Sequence, residues 1–574
     1  MKKLSFVLIL LALSQGIHSQ IIEKVIDSAR IEKLDEVLVK AIRVEASSPI
    51  THSNVSKAEL ATRNLGQDLP ILLNYLPSVV TTSDAGAGIG YTGIRVRGVS
   101  AQSTNITING IPYNDAESLG TFWVDLPDFA SSVESLQLQR GVGTSTNGSG
   151  AFGASINILT DAISKDSQAE ISNTFGSYNT LKHNLKFSTG LLGSNIEISG
   201  RLSQIKSDGY IDRAASDLKS YFLQGAYTDD NTLIKMLVFG GHEITYQAWN
   251  GIDAETLKNN RTFNPSGTYT DDDGTINFHE NEVDNYKQDH YQLHWNQKIN
   301  NYWSARIGLN YTYGRGYFEQ YKENQSFSDY DLNDLIIGDT TINETDLIRR
   351  RWLDNRFYVV TTSISHTKKD LAMSIGSSFS LYDGDHFGEI IWAQYTSDSK
   401  INDKYYEGNG EKLELNIFTK ATYKLNEKLS IYGDLQFRII DYKTSGLTSD
   451  RVNMLINEKY NFFNPKAGFT YEFNDGNSLY ISYARANREP SRSDFESNVN
   501  IKSEQLNDFE LGWRHNSSKL SLSTNFYYML YNEQLVLSGK IDDVGSPIRE
   551  NIGKSYRFGS VSYTHLRAHE TKAN

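Results

Sequence analysis

The chain has 574 residues, with 56 Lys and Arg against 69 Asp and Glu (net charge −13), 34 Tyr, 25 Phe, 7 Trp and no cysteine. Without cysteine there are no disulfides, thiolate metal ligands or cysteine nucleophiles, and an acidic chain with no Lys/Arg cluster does not fit a nucleic-acid partner. The length exceeds what one ordinary core fills unless the architecture is a barrel that grows sideways, and the tyrosine-rich composition suits the interfacial aromatic belts of such a barrel.

In chain order, Met1-Lys2-Lys3, the apolar run 4–13 and the small polar residues 14–19 have the order of an export signal, with cleavage expected near Ser19. The apolar run is about half of the roughly 20 residues a spanning helix needs, and no later window is long and apolar enough to be one. Residues 20–45 form a charged leader. Residues 46–163 have short apolar runs, glycine-rich turns and a helix expected at 65–76, ended by Pro77, which predicts a compact α+β domain.

From there to residue 560 the pattern is strict alternation. Ile196, Ile198, Gly200 and Leu202 alternate with Glu197, Ser199 and Arg201; similar ladders run over 303–313 and 429–439. Each is a strand with one apolar and one polar face, and strands of about 10 residues or more suit a tilted bilayer crossing. Short turns such as 474–476 contrast with long polar connections expected at 248–284, 322–350 and 383–410, the asymmetry of a transmembrane antiparallel β-barrel. The expected fold is all-β dominated: this barrel, with the N-terminal α+β domain as a plug in its lumen.

Other motifs carry less. Gly148 to Gly153 formally match a dinucleotide fingerprint, but a strand pattern follows where that fingerprint requires a helix. His290 and His294 lie about 13 Å apart along a strand, too far to share an ion. Asp271, Asp273 and Glu280 fit positions three, five and twelve of a calcium-loop template whose first position, Tyr269, lacks the carboxylate; a solvated acidic loop is the competing reading. No nucleophile is set beside a positioned base, so no enzyme is expected.

Three sets of segments go together: Leu34, Asp35, Glu36, Val37, Leu38 and Val39; Ile94-Arg95-Val96-Arg97-Gly98 with 106–112, 133–141 and 148–158; and Tyr246-Gln247-Ala248-Trp249-Asn250-Gly251 with Ala484-Arg485-Ala486-Asn487-Arg488-Glu489-Pro490. In this order they resemble the energy-coupling box, the plug and barrel segments of the TonB-dependent outer-membrane receptors, in particular Bacteroidetes-type members for iron-complex uptake. The resemblance implies a barrel of about 22 strands in the bacterial outer membrane and a periplasmic TonB-type partner that grips the box by strand addition. It also implies active uptake of an iron-siderophore-type chelate as cargo, with no cofactor of the protein's own. Cobalamin, an oligosaccharide, a passive porin and an adhesin barrel are the alternatives. Arg95 and Arg97 are expected to dock the plug on barrel carboxylates, and Tyr91, Tyr246, Trp249, Phe387 and Trp392 to pack against a flat ligand. Only about 16 to 18 strands are countable before Tyr563, and residues 561–574 lose the alternation, so the barrel is expected to be incomplete with an anomalous tail.

Overall fold

The computed structural model describes residues 43–566, apart from 46, 149, 272, 475 and 542–546. The expected signal, the coupling box and the end of the tail lie outside the described residues.

The N-terminal region builds a small mixed sheet. Its strands are β1 (His52–Ser56), β2 (Val79–Ser83), β3 (Thr92–Val96), β4 (Thr104–Ile108), β5 (Ile111–Pro112), β6 (Val133–Arg140) and β7 (Ala154–Thr160). Five of them pair in the order β1-β6-β7-β4-β5, and β2 and β3 form a separate pair. Leu136, Leu138, Ile156 and Ile158 from β6 and β7 bury one face against Leu69, Leu72 and Leu73. The helix over this stretch spans only Leu69–Leu72, not 65–76. Gly66 sits at φ +123°, outside helical geometry, and Pro70 has no N–H to donate, so it is tolerated only in a first turn. The residues after the glycine-rich fingerprint form strand β7, as their alternation predicts.

Among the described residues, the rest of the chain builds one antiparallel meander of 16 strands and two small loop hairpins. It runs through β8 (Ser167–Gly176), β9 (Thr180–Thr189), β10 (Ile196–Ser207), β11 (Ser216–Thr228) and β12 (Thr232–Tyr246). A loop hairpin, β13 (Thr268–Thr270) and β14 (Ile276–Phe278), precedes β15 (Val283–Lys298) and β16 (Trp303–Ser326), and a second, β17 (Leu335–Ile337) and β18 (Thr340–Ile342), precedes β19 (Glu344–Lys368). Then come β20 (Leu371–Ala393), β21 (Asp403–Lys424), β22 (Leu429–Leu447), β23 (Asn453–Asn474), β24 (Asn477–Arg488), β25 (Glu504–Asn516), β26 (Leu520–Ile541) and β27 (Pro547–Leu566). Apart from the two loop hairpins, each strand pairs with its neighbour in this order, leaving β8 and β27 as the sheet's two edges.

The alternation is inverted relative to a soluble sheet. On β10, Ile198 and Leu202 are 47% and 57% exposed while Glu197 and Arg201 are 1% and 2% exposed, so the apolar face points to lipid and the polar face to the plug. Two connections are shorter than expected, because β16 and β19 run to 24 and 25 residues and β20 continues through Ala393. Most of 383–410 is therefore strand standing above the membrane band. Connections at one end, such as 369–370 and 425–428, are tight; those at the other, such as 247–282 and 489–503, are long. The tight end is periplasmic and the long end extracellular by the barrel rule.

Candidate functional site

The plug is fixed to the barrel by buried ions. Arg97 ends its strand in the left-handed region (φ +53°) beside Gly98, which swings its guanidinium outward. It donates to Glu510 at 2.5 Å and to Asn525 at 2.7 Å, and lies 4.2 Å from the Tyr527 ring centroid. Arg95 is exposed and has no ion pair among the described residues, so of the two arginines expected to dock the plug only Arg97 pairs with a barrel carboxylate there. Opposite, Asp128 is gripped by Lys182 (2.6 Å), Asn184 (2.6 Å), Ser203 (2.7 Å) and Arg201 (3.4 Å). Burial alone would raise its carboxyl, but the Arg201 and Lys182 charges hold it down to about 2. Phe129, the next residue, packs into Phe222 and Phe239 of the same wall.

A second knot sits on the extracellular side of the plug. Glu117 accepts from His386 of β20 (2.7 Å), Tyr442 of β22 (2.8 Å) and Arg492 (3.3 Å), while Lys412 of β21 donates to the carbonyl of Ala116. Gly410 leaves the room for this: a Cβ there would run into the Glu117 carboxylate. Lys412 also pairs with Glu489, and Arg438 bridges Glu489 and Glu414. Arg488 reaches back to Ser103 of the plug at 3.0 Å. Arg488-Glu489, in a segment that carries the family resemblance, thus ties plug to barrel; Glu117, Asp128, His386 and Lys412 carry no local signal in the sequence.

Burial would raise the Glu117 carboxyl, yet His386 first and Arg492 next hold it at about 2, below its ordinary 4.5. A depressed carboxyl contributes stability that is full above its unfolded value and lost as pH falls through its folded one. The knot is therefore expected to lose about 3 kcal/mol between pH 5 and 2. Hydrogen exchange of residues 113–120 should quicken over that window in the native chain and show no such step in Glu117→Gln.

The aromatic residues divide. Tyr91 donates to Asp284 and meets Trp249 edge-on at 5.3 Å, and Trp249 in turn meets Phe318 at 6.0 Å. The Trp249 indole N–H is buried without a hydrogen-bond partner among the described residues. Arg351 lies 5.1 Å from the Phe318 ring centroid, on the lumen face of β19. This cluster stands over the plug and can offer ring faces, an indole donor and a cation to a ligand entering from outside. Tyr246 ends β12 on the outward side, its hydroxyl holding the carbonyls of Ser266 and His279 so that the long loop folds back. Phe387 and Trp392 do not face the lumen. Phe387 stacks on Trp352 at 5.8 Å and Trp392 on Tyr321 at 6.2 Å, on the outer side of the strands where they stand above the membrane band.

The acidic loop is held by its own hydrogen bonds. Asp271 accepts from Asn277 and Asp273 from the Thr275 N–H, and no group of three or more His, Asp or Glu able to hold a metal occurs among the described residues.

A 16-stranded transmembrane sheet wrapped on a folded N-terminal domain defines a plugged β-barrel. Residues 226–560 match the family described as "TonB dependent receptor-like, beta-barrel", and residues 44–155 match the "TonB-dependent Receptor Plug Domain". The chain belongs to the TonB-dependent receptors, a family of outer-membrane transport receptors. It is 32% identical over 180 residues to the vitamin B12 transporter BtuB of Vibrio vulnificus, covering 31% of this chain and 28% of that protein. It is 24% identical over 149 residues to the probable TonB-dependent siderophore receptor PirA of Acinetobacter baumannii, covering 24% of this chain and 20% of that one. These matches span less than a third of either relative. The fold superposes on the copper transporter OprC with a TM-score of 0.70 at 14% identity, over 92% of this chain and 79% of that one.

Proposed function

We propose that this receptor takes up an anionic iron-chelate of the siderophore type, driven by a periplasmic TonB-type protein that grips Leu34, Asp35, Glu36, Val37, Leu38 and Val39 and displaces the plug. The observation that carries the substrate class is the Tyr91–Trp249–Phe318 cluster with Arg351 beside it. Aromatic faces accommodate a flat chelate, and a guanidinium with a free indole donor recognises its oxyanions. The match to the siderophore receptor PirA supports it. Cobalamin is the second reading, favoured by the more similar stretch shared with BtuB.

Uptake of radiolabelled ferric chelates into cells, with cobalamin as competitor, separates the two cargoes. Removing residues 34–39 is expected to reduce uptake to background while surface binding persists; uptake that survives the deletion means passive passage through a pore. Binding to the purified protein also tests the site. Trp249→Ala should weaken chelate binding at least tenfold, about 1.4 kcal/mol, by removing a ring face and a donor. Phe387→Ala and Trp392→Ala, on the outer face, should change it less than twofold.

A further inference from the structure

The plug is held unevenly around the barrel. On the β9–β12 wall, Lys182, Asn184, Lys186, Arg201, Ser203 and Ser220 each donate a hydrogen bond to the plug. On the facing stretch of β19 (357–367) and β20 (372–380), no side chain hydrogen-bonds to the plug among the described residues. The hydroxyls there satisfy one another or the wall instead: Ser365 pairs with Ser374 at 2.8 Å, and Asn416 donates to Ser378 at 3.3 Å.

Cavities line the same stretch in series. The uppermost, about 60 Å³, reaches Phe357, Ser380 and Glu414. It shares Pro112 and Ser378 with the next, about 30 Å³, which reaches Thr361, Ser363 and Asn416. The lowest, about 280 Å³, reaches Ser365, Ser374 and Lys420 and opens at the periplasmic turn by Lys369 and Lys424. From Lys412 to Lys424 this run covers about 40 Å of strand, more than the roughly 25 Å apolar band of a barrel. Lys369, Lys420 and Lys424 line its exit without an ion-pair partner among the described residues.

We propose that cargo crosses along this seam between the plug and the β19–β21 wall, with the plug remaining seated on β9–β12. This rests on the transport reading above and deepens it by assigning a path and its chemistry. A wall of small hydroxyl side chains offers exchangeable hydrogen bonds to a polar chelate along most of the path, and below the contacts of Glu117 with His386 and of Ala116 with Lys412 at its top, moving the plug off β19 and β20 breaks no plug–wall ion pair among the described residues. At the exit Arg43 and the three lysines outnumber Glu45 and Asp370 on the same lining, a net positive charge that favours an anionic cargo.

The chain has no cysteine, so single thiols report cleanly. Ser363→Cys and Ser378→Cys place one in the seam; Ser203→Cys and Ser220→Cys place one on the seated wall. In the purified full chain, a small anionic methanethiosulfonate should modify the seam thiols at least tenfold faster than the others. In cells, the seam adducts should stop energised uptake and leave surface binding intact. Equal modification rates on the two walls overturn the seam, as do seam adducts that transport at the unmodified rate. If the unmodified chain shows no energised uptake, the transport reading itself falls and the path with it, which is distinct from uptake that persists through a blocked seam.

Discussion

Replacing Arg97 with alanine is expected to loosen the plug by about 3–5 kcal/mol, the cost of leaving a buried charge without its partner. Arg97 is 5% exposed, and with it gone Glu510, beside Asp508 on β25, loses the cation it pairs with. Trp123, 3% exposed in the plug core, reports plug unfolding in urea by its fluorescence. The plug transition should move to lower urea while the barrel, whose hydrogen bonds are untouched, stays folded. Adding Glu510→Gln should recover part of the loss, because the stranded charge rather than the missing bond dominates it. Arg97→Lys should fall between, since an ammonium keeps the charge but cannot reach Glu510 and Asn525 together. Arg95→Ala, at an exposed position, should change the midpoint by less than about 0.5 kcal/mol. A shift below about 1 kcal/mol for Arg97→Ala would show that the ion pair does not hold the plug.

The barrel is legible in the sequence because period-two alternation and burial share one cause, a strand with lipid on one side. Where that cause stops, legibility stops. Above the membrane band β20 passes through Asp383, Asp385 and Phe387, with no apolar ladder to mark it, and a loop is expected there. Carrying the strand onward puts Phe387 on the same face as the exposed Phe379 and Leu381, so its outward direction is readable once the strand is recognised. Trp392 is not: the register shifts between Ile348 and Arg349 and changes which parity faces out. Trp249 and Tyr91 are readable as candidates from short motifs near chain turns, but their meeting is a tertiary fact. The ion pairs are further out of reach. Glu117 finds His386 and Arg492 across 269 and 375 residues, a separation no local pattern encodes. Arg95 and Arg97 are two residues apart on a strand and should share a face, yet the positive φ of Arg97 breaks the alternation and sends only that side chain into the wall.

Asp128 should matter as much as Arg97, and from the opposite side. Its carboxylate, 4% exposed, is the shared acceptor for Lys182, Asn184, Arg201 and Ser203, so Asp128→Ala strands two buried cations at once. The expected cost is again about 3–5 kcal/mol of plug seating. Asp128→Asn keeps the shape and one acceptor but not the charge, and should cost less than the alanine while still exceeding about 1 kcal/mol. The stretch of β19 and β20 that carries no plug hydrogen bond among the described residues gives the contrast: Ser363→Ala and Ser378→Ala should each leave the Trp123 transition within about 0.5 kcal/mol of the parent. The same urea titration measures all four. Asymmetry in that set means the plug has one side built to stay and one built to yield; equal costs on both walls would mean it is held as a uniform stopper, and that force applied to the leader must free it all at once.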